Sequence, residues 1–344
     1  SAVQSNRTSY TFDDIVGECP EIKKALKLAS MVANTHSSVL LIGESGTGKE
    51  LFAQAIHAAS DRFRHPFVAI NCGAIPADII ESELFGYEAG AFTGAREAGK
   101  AGRLEAASGG TLFLDEVEAM PLSFQVKLLR AFSSKSLVRV GGVNDIPIDI
   151  RIISASKVDL QGEINEGRFR EDLYYRIATF PLDIPPLQRR GGDIRLLAKQ
   201  FLGMLRSEYA RTNISVDEPF FEALELHSWR GNVRELRNTI ERAMLMSTGQ
   251  ENLAIEHLPE SIQQAWMTKK LKKRAEGTIR QEPDGGRPYL KIVEDTAIAM
   301  VLEEERGNIT RSAKRLGIAR STLYQKIHTS THLASVLKSD SPLN

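Results

Sequence analysis

Cysteine is scarce in this chain: two in 344 residues, Cys19 and Cys72. Two distant thiols build neither a disulfide scaffold nor a cysteine metal cluster, which points to a reducing cytoplasm. Long apolar runs are missing as well. No stretch approaches the roughly 20 residues that span a bilayer, and no signal peptide is visible, so no membrane partner is expected. Neither charge is in excess, since 44 Lys+Arg balance 44 Asp+Glu. Net charge therefore says nothing about partners, and any nucleic-acid signal has to come from local clustering. Internal repeats are absent too. What remains is ordinary globular composition, 42% hydrophobic and 26% charged. The length exceeds what one core usually holds, so two or three domains are expected. The chain begins at Ser1 in a polar stretch without Met. Residues 1–11 read as a leader, and an upstream regulatory domain is expected to be missing.

From about Val39 to Ala155, short apolar runs alternate with helical patterns: SVLLIG (38–43), FVAIN (67–71), GTLFLD (110–115) and IRIISAS (150–156). Continuous apolar strands separated by helices predict an α/β fold with a parallel sheet covered on both faces. From Asp193 to about Ala265 the pattern is helical without strand candidates, a small helical subdomain. Residues 266–288 are polar and end in Gly and Pro, a linker in which KKLKKR (269–274) reads as solvated. The tail from Tyr289 is helical again. The resulting division is 12–188, 189–265, 266–288 and 289–344.

GESGTGKE (43–50) lies between an apolar strand and the helical LFAQAIHAAS. The spacing G-x-x-x-x-G-K lets backbone N–H groups curl around phosphate oxygens while Lys49 reaches the outer phosphates. The general motif places Ser or Thr next, to hold Mg²⁺; here it is Glu50. Asp115 and Glu116 end the strand in GGTLFLDEVEAM. Asp115 is a candidate Mg²⁺ ligand and Glu116 a candidate to orient or deprotonate water, although an acidic pair after a strand also serves as a helix cap. Ser156, at the end of IRIISAS, is the candidate sensor of a γ-phosphate. Asn71, ending FVAIN, is a second polar group at the edge where doubly wound sheets bind ligands. A turn or capping role stays open for both. Arg168, Arg170 and Arg176 in GRFREDLYYRI suit either a transferring phosphoryl group or surface ion pairs. Arg234 in WRGNVREL suits an anion near a helix start, or a structural role.

Near the C-terminal end, about Thr310–Leu316 and Arg320–His328 read as two short helices joined by GIA. Ala313, Leu316, Ile318, Leu323 and Ile327 supply packing and Gly317 the turn, a helix-turn-helix pattern. Between Arg306 and His328 stand six Lys/Arg and no Asp or Glu. That local basic face makes Arg311, Arg320, Ser321, Thr322, Tyr324, Gln325 and Lys326 candidate contacts to double-stranded DNA, with a solvated helical bundle as the alternative.

Together, FDDIVG, GESGTGKE, ESELFGYEAGAFTGA, GGTLFLDEV, FREDLYYRI, IPPL and WRGNVREL stand in the order of the AAA+ activators of sigma-54 RNA polymerase. The chain resembles that family from about Phe12 to Leu258, and GAFTGA beside a P-loop is specific to it. The resemblance implies a P-loop AAA+ sheet with a helical lid, ATP and Mg²⁺ as cofactors, and a homo-oligomeric ring, hexamer or heptamer. It implies that Gly43, Glu44, Ser45, Gly46, Thr47, Gly48 and Lys49 hold phosphate, with Glu50 normal at its position. Asp115 would bind Mg²⁺, Glu116 would activate water, and Asn71 would restrain Glu116 until the nucleotide changes. Arg170 and Arg176 match arginine fingers acting on a neighbouring subunit, and Arg234 matches the second sensor. The loop Gly90, Ala91, Phe92, Thr93, Gly94 and Ala95 would contact sigma-54, with Phe92 and Thr93 as the contact pair. A Gly-flanked loop around one aromatic suits a moving protein anchor. The C-terminal segment resembles a Fis-type DNA-binding domain, dimerising through about Lys291–Glu305.

Three positions depart from the family pattern: Ser156-Lys157 replaces Thr-Asn, Arg230 replaces Pro in WPGN, and Gln188 replaces Arg in PPLR. None removes a catalytic group. Two rivals remain at this level: a DNA-binding repressor that holds nucleotide without turnover, and an AAA+ remodelling enzyme with another protein as its target.

Overall fold

All four apolar runs become strands of one parallel sheet. In the computed structural model, which describes residues 8–76, 79–91, 98–248, 252–279, 289–305, 307–330 and 333, these are β1 (Val39–Ile42), β2 (Phe67–Asn71), β3 (Thr111–Asp115) and β4 (Arg151–Ser156). A fifth strand, β5 (Phe180–Asp183), completes the order β2-β3-β4-β1-β5. β5 escapes sequence reading because it is four residues long and contains Pro181. It survives because it lies at the sheet edge, where a missing N–H breaks no ladder bond on the open side.

The alternation along these strands sorts side chains into two layers. Leu40, Leu112, Leu114 and Ile152 pack on one face with Phe124 and Leu128. Val39, Leu41, Phe113 and Ile153 pack on the other with Phe52 and Ile56. Successive strand residues point to opposite faces, so the middle of a strand buried on both sides is apolar at consecutive positions, as Leu112, Phe113 and Leu114 are in β3. The covering helices include α1 (Pro20–Ala33), α2 (Lys49–Ala58) and α3 (Leu122–Ser134). Arg151 in β4 is a buried exception. Its guanidinium donates to the carbonyls of Val32 and Ala33 at 2.7 and 2.6 Å, at the C-terminal end of α1.

The register sets the working edge. Asn71 pairs with Asp115, Leu114 with Ser154 and Ile42 with Ser156. The C-terminal ends of β1 to β4 therefore bring Gly43, Asn71, Asp115 and Ser156 to one side.

Beyond the sheet, α4 (Glu171–Ile177) leads to the helices α5 (Asp193–Glu208), α6 (Glu218–Leu226) and α7 (Asn232–Met246). The helical reading of this region holds, with one addition: Ser215–Val216 and Asn252–Leu253 pair as a two-residue parallel ladder. Two residues are too few to leave a period-2 signal. Trp229 is buried, and its indole donates to the Leu224 carbonyl at 2.8 Å.

The chain divides into two compact units, Ser1–His257 and Leu258–Asn344. In the second, α8 (Glu260–Ile279) is helical well into the segment that reads as a linker, and residues 280–288 lie outside the described ones. α9 (Tyr289–Glu304), α10 (Ile309–Leu316) and α11 (Arg320–Thr329) follow. Asn308 caps α10 by accepting from Arg311 N at 3.2 Å, and Gly317 ends it at φ +66°, a conformation that favours glycine. Ile298, Leu302, Ala313, Leu323 and Ile327 form the core of this unit. Among the described residues no helix is long and apolar enough to cross a membrane.

Candidate nucleotide site and its neighbours

The loop between β1 and α2 is shaped by its glycines. Gly46 and Gly48 sit at φ +77° and +100°. A Cβ on Gly46 would lie 2.3 Å from the Gly231 carbonyl, so only glycine lets the loop lie against the start of α7. Thr47 is buried and donates to the Glu44 carbonyl at 2.9 Å. The Lys49 ammonium curls under the loop, donating to the carbonyls of Gly43 and Glu44 at 2.8 and 3.0 Å. Burial lowers its pKa, opposed by the charges of Asp115, Glu118 and Glu116. Glu50 accepts from Gln54 on the exposed side of α2.

Ser45, Gly46, Thr47, Gly48, Lys49 and Glu50 line a cavity of about 630 Å³, together with Asn71, Asp115, Glu116, Lys157 and Arg234. Burial raises the Asp115 carboxyl above the usual carboxylate range, and the nearby Lys49 charge opposes the shift. Its Oδ1 accepts from Glu116 N at 3.0 Å. Glu116 itself has φ +53°, a left-handed backbone that is strained for a side chain of this size. The Glu116 carboxylate receives the Lys157 ammonium at 3.0 Å, which holds its pKa low and raises that of Lys157. Asn71 stands beside it, but Asn71 Oδ1 accepts from Gly73 N and Ala74 N at 2.9 and 3.0 Å, closing its own turn. A Cβ on Gly73 would lie 2.9 Å from Glu116 Oε2, so this turn leaves room for the carboxylate.

Ser156 departs from its expected place. It is buried, and its hydroxyl donates to the Val158 carbonyl at 2.8 Å and accepts from Val158 N at 3.2 Å. The next residue, Lys157, faces the cavity instead. Sequence reading notes Lys157 only as a departure and misses Glu118 altogether. The Glu118 carboxylate is 9% exposed and 3.9 Å from the Lys157 ammonium. Its Oε2 is buried with no hydrogen-bond partner among the described residues.

The start of α7 grips the loop. Asn232, fully buried at φ +53°, donates to Glu44 Oε2 and to the Ser45 carbonyl, both at 3.0 Å, and accepts from Leu187 N at 2.7 Å. Val233 N donates to the Gly46 carbonyl at 3.0 Å, and Arg234 reaches Ser45 Oγ at 3.3 Å. Arg234 lines the cavity, and Asn232 is a residue that sequence reading misses.

Arg170 and Arg176 do not line this cavity. Arg170 forks onto Asp172 at 3.0 and 2.6 Å, Arg176 donates to the Phe132 carbonyl at 2.7 Å, and Arg168 pairs with Glu163 and Glu166. Of the GAFTGA loop, Gly90 and Ala91 are described, and Phe92, Thr93, Gly94 and Ala95 lie outside the described residues. The loop's base is an antiparallel pair, Gly86–Tyr87 with Lys100–Ala101. The Arg139 guanidinium fastens it, forking onto Glu105 at 2.9–3.1 Å and reaching Glu88 at 3.3 Å. Gly141 leaves only van der Waals room for Ala91, because a Cβ there would lie 2.9 Å from Ala91 Cβ.

In the second unit, Arg311, Arg320, Ser321, Tyr324 and Gln325 are exposed, and Thr322 is half-buried. Lys326 is half-buried and paired with Glu294 at 2.6 Å.

Three sequence families match the chain. The sigma-54 interaction domain covers residues 15–183, an AAA+ ATPase lid domain 188–275, and a bacterial regulatory protein domain of the Fis family 289–328. The regulatory protein AtoC of Escherichia coli strain K12 is 43% identical over 327 residues, 94% of this chain and 69% of that protein. A signal-transduction and transcriptional-control protein of Clostridium beijerinckii is 44% identical over 94% of this chain, but over only 49% of its own length. The chain spans about half to two thirds of the length of the curated relatives it matches. The crystal structure of NtrX from Brucella abortus in complex with ATP superposes with a TM-score of 0.67 at 33% identity, covering 92% of this chain and 69% of that one.

Proposed function

The chain belongs to the sigma-54-dependent AAA+ transcriptional activators, and from that premise we propose that it hydrolyses ATP to remodel sigma-54 RNA polymerase and open promoter DNA. The observation that carries the proposal is the convergence of Lys49, Asp115, Glu116 and Arg234 on one cavity at the ligand-binding edge of the sheet.

The loop amides and Lys49 bind the phosphates, and Arg234 adds a cation from the lid side. The oxygen donors at this edge fit Mg²⁺. Asp115 and Glu118 supply hard carboxylate oxygens, one of them without a partner. Among the described residues no group of three or more metal-type side chains forms, as suits a cation held by one or two carboxylates and the nucleotide's own oxygens. Mg²⁺ supplies neutralisation of phosphate charge when bound. Glu116 orients a water towards the γ-phosphate and takes its proton as the bond to ADP breaks. Asn71 restrains Glu116 from the neighbouring strand.

Arg170 and Arg176 do not line their own chain's cavity, which suits fingers that complete the site of the next subunit in a hexameric or heptameric ring. Phe92 and Thr93, with Gly90, Ala91, Gly94 and Ala95, form the loop that engages sigma-54. The helix-turn-helix, paired into dimers, holds upstream DNA and raises the local concentration of the machine. The Clostridium beijerinckii relative is a transcriptional-control protein by name, and the neighbour with ATP bound supports the nucleotide.

The test is capture of sigma-54 by the purified chain loaded with ADP and a metal-fluoride γ-phosphate mimic, comparing wild type with Thr93→Ala and recording ATPase rates for both. Capture by wild type, lost in a Thr93→Ala variant that still hydrolyses ATP, is the expected result. Hydrolysis by both without capture by either would make this a motor for a different target.

A further inference from the structure

Lys157 follows the last residue of β4 and turns its ammonium into the cavity. There it meets two carboxylates at once, Glu116 Oε2 at 3.0 Å and Glu118 Oε1 at 3.9 Å. This places a cation on the residue that is to direct water, and a paired carboxylate is not free to do so. The pair is also half in solvent, with the Lys157 side chain 45% and the Glu116 side chain 34% exposed. Such pairs are weak and exchange partners readily.

A terminal phosphate is the stronger competitor. It carries more than one negative charge and three acceptor oxygens, against one charge and two oxygens on a carboxylate. Lysine suits the exchange, because its four-carbon stem lets one ammonium swing between neighbouring anions. Glu118 stays beside it, 9% exposed, and keeps negative charge next to the ammonium when Glu116 is released. Ser156 cannot compete for this role, since its hydroxyl is spent on both backbone groups of Val158.

We infer that Lys157 is a charge latch on Glu116 that a γ-phosphate opens: without one, Lys157 holds Glu116 in an ion pair, and with ATP bound it turns to the γ-phosphate and leaves Glu116 free. ADP leaves the latch shut. Lys157 is thus a positioning residue for Glu116, and the device rests on the reading of this cavity as the ATP site.

Equilibrium binding tests it without any turnover. Fluorescent ADP and a β,γ-imido ATP analogue are titrated, with Mg²⁺, into the full chain as wild type, Lys157→Ala, Lys157→Arg, Glu116→Gln and the Glu116→Gln/Lys157→Ala pair. Lys157→Ala is expected to weaken the analogue about tenfold, the worth of one charge-assisted hydrogen bond, and to leave ADP within about twofold. Lys157→Arg should restore most of that loss. Glu116→Gln should tighten the analogue several-fold by freeing the ammonium, and that gain should vanish when Lys157 is also Ala, a non-additive cycle. Equal losses for ADP and analogue in Lys157→Ala, or additive effects in the cycle, overturn the latch while leaving the ATP site intact. A wild type that binds neither nucleotide overturns the ATP site and the latch with it.

Discussion

Asn232 and Glu44 are 188 residues apart in the chain, yet the Asn232 amide donates to the Glu44 carboxylate at 3.0 Å. Through that bond the lid helix α7 holds the phosphate loop directly, and the same amide also reaches the Ser45 carbonyl. Asn232 does this from φ +53°, which asparagine tolerates better than most residues. Asn232→Ala would leave Leu187 N and the Ser45 carbonyl without their partner and put alanine, which tolerates a left-handed backbone less well than asparagine, at φ +53°. The expected loss is about 2–4 kcal/mol of unfolding free energy, with weaker nucleotide binding alongside. Chemical denaturation of the full chain followed by nucleotide titration measures both. An unchanged unfolding midpoint would show that the clamp carries no stability.

His57 makes stability depend on acid. Its ring is buried in α2, 2.8 Å from Thr111 Oγ1 and 5.3 Å between centroids from Phe67. Burial first, and the Arg151 charge second, push its pKa down to about 4 from 6.5. The folded state therefore holds His57 neutral where the unfolded chain protonates it. Stability is complete above pH 6.5 and is lost as pH falls from 6.5 towards 4, by roughly 3 kcal/mol over that window. Thermal melts across this range should show the slope in wild type and a shallower one in His57→Gln. Equal slopes would place the acid sensitivity elsewhere.

Arg139 separates the loop from the motor. Its guanidinium, 23% exposed, ties Glu105 and Glu88 across the base of the 88–99 segment and touches none of the phosphate loop. Arg139→Ala should reduce sigma-54 capture by about fivefold or more, while nucleotide affinity stays within twofold, because a loosened base misplaces the loop tip. If capture and nucleotide affinity fall together, Arg139 supports the whole fold rather than the loop.

The two cations of α11 are expected to differ. Arg320 is exposed at the start of the helix, whereas Lys326 is already paired with Glu294 at 2.6 Å. Arg320→Ala should weaken DNA binding about tenfold and lower the slope of log affinity against log salt by roughly 1. Lys326→Ala should do less on both counts. Fluorescence anisotropy with duplex DNA at several salt concentrations decides the order. A larger effect at Lys326 would mean that α11 presents another face.

Much of this protein was legible in its sequence because the signals are short-range. Apolar runs such as SVLLI and TLFLD state their own burial, and glycines 46 and 48 state the turn between strand and helix. Gly317 and the apolar positions Ala313, Leu316, Ile318, Leu323 and Ile327 state the helix-turn-helix. β5 was not legible, since FPLD is four residues long and interrupted by Pro181, and it becomes a strand because β1 lies beside it. The Ser156 expectation rested on its place at a strand end, and the following turn took its hydroxyl.

The sequence by itself determined the parallel sheet, the phosphate loop, the acidic pair and the basic helix, each of which follows from residue type at fixed local spacing. The tertiary structure alone decided the pairings: Lys157 with Glu116 across 41 residues, Asn232 with Glu44 across 188, and Lys326 with Glu294 across 32. The reason is geometric. Charge and hydrogen bonding act over a few ångströms, and only strand order and helix packing decide which distant side chains come within that reach.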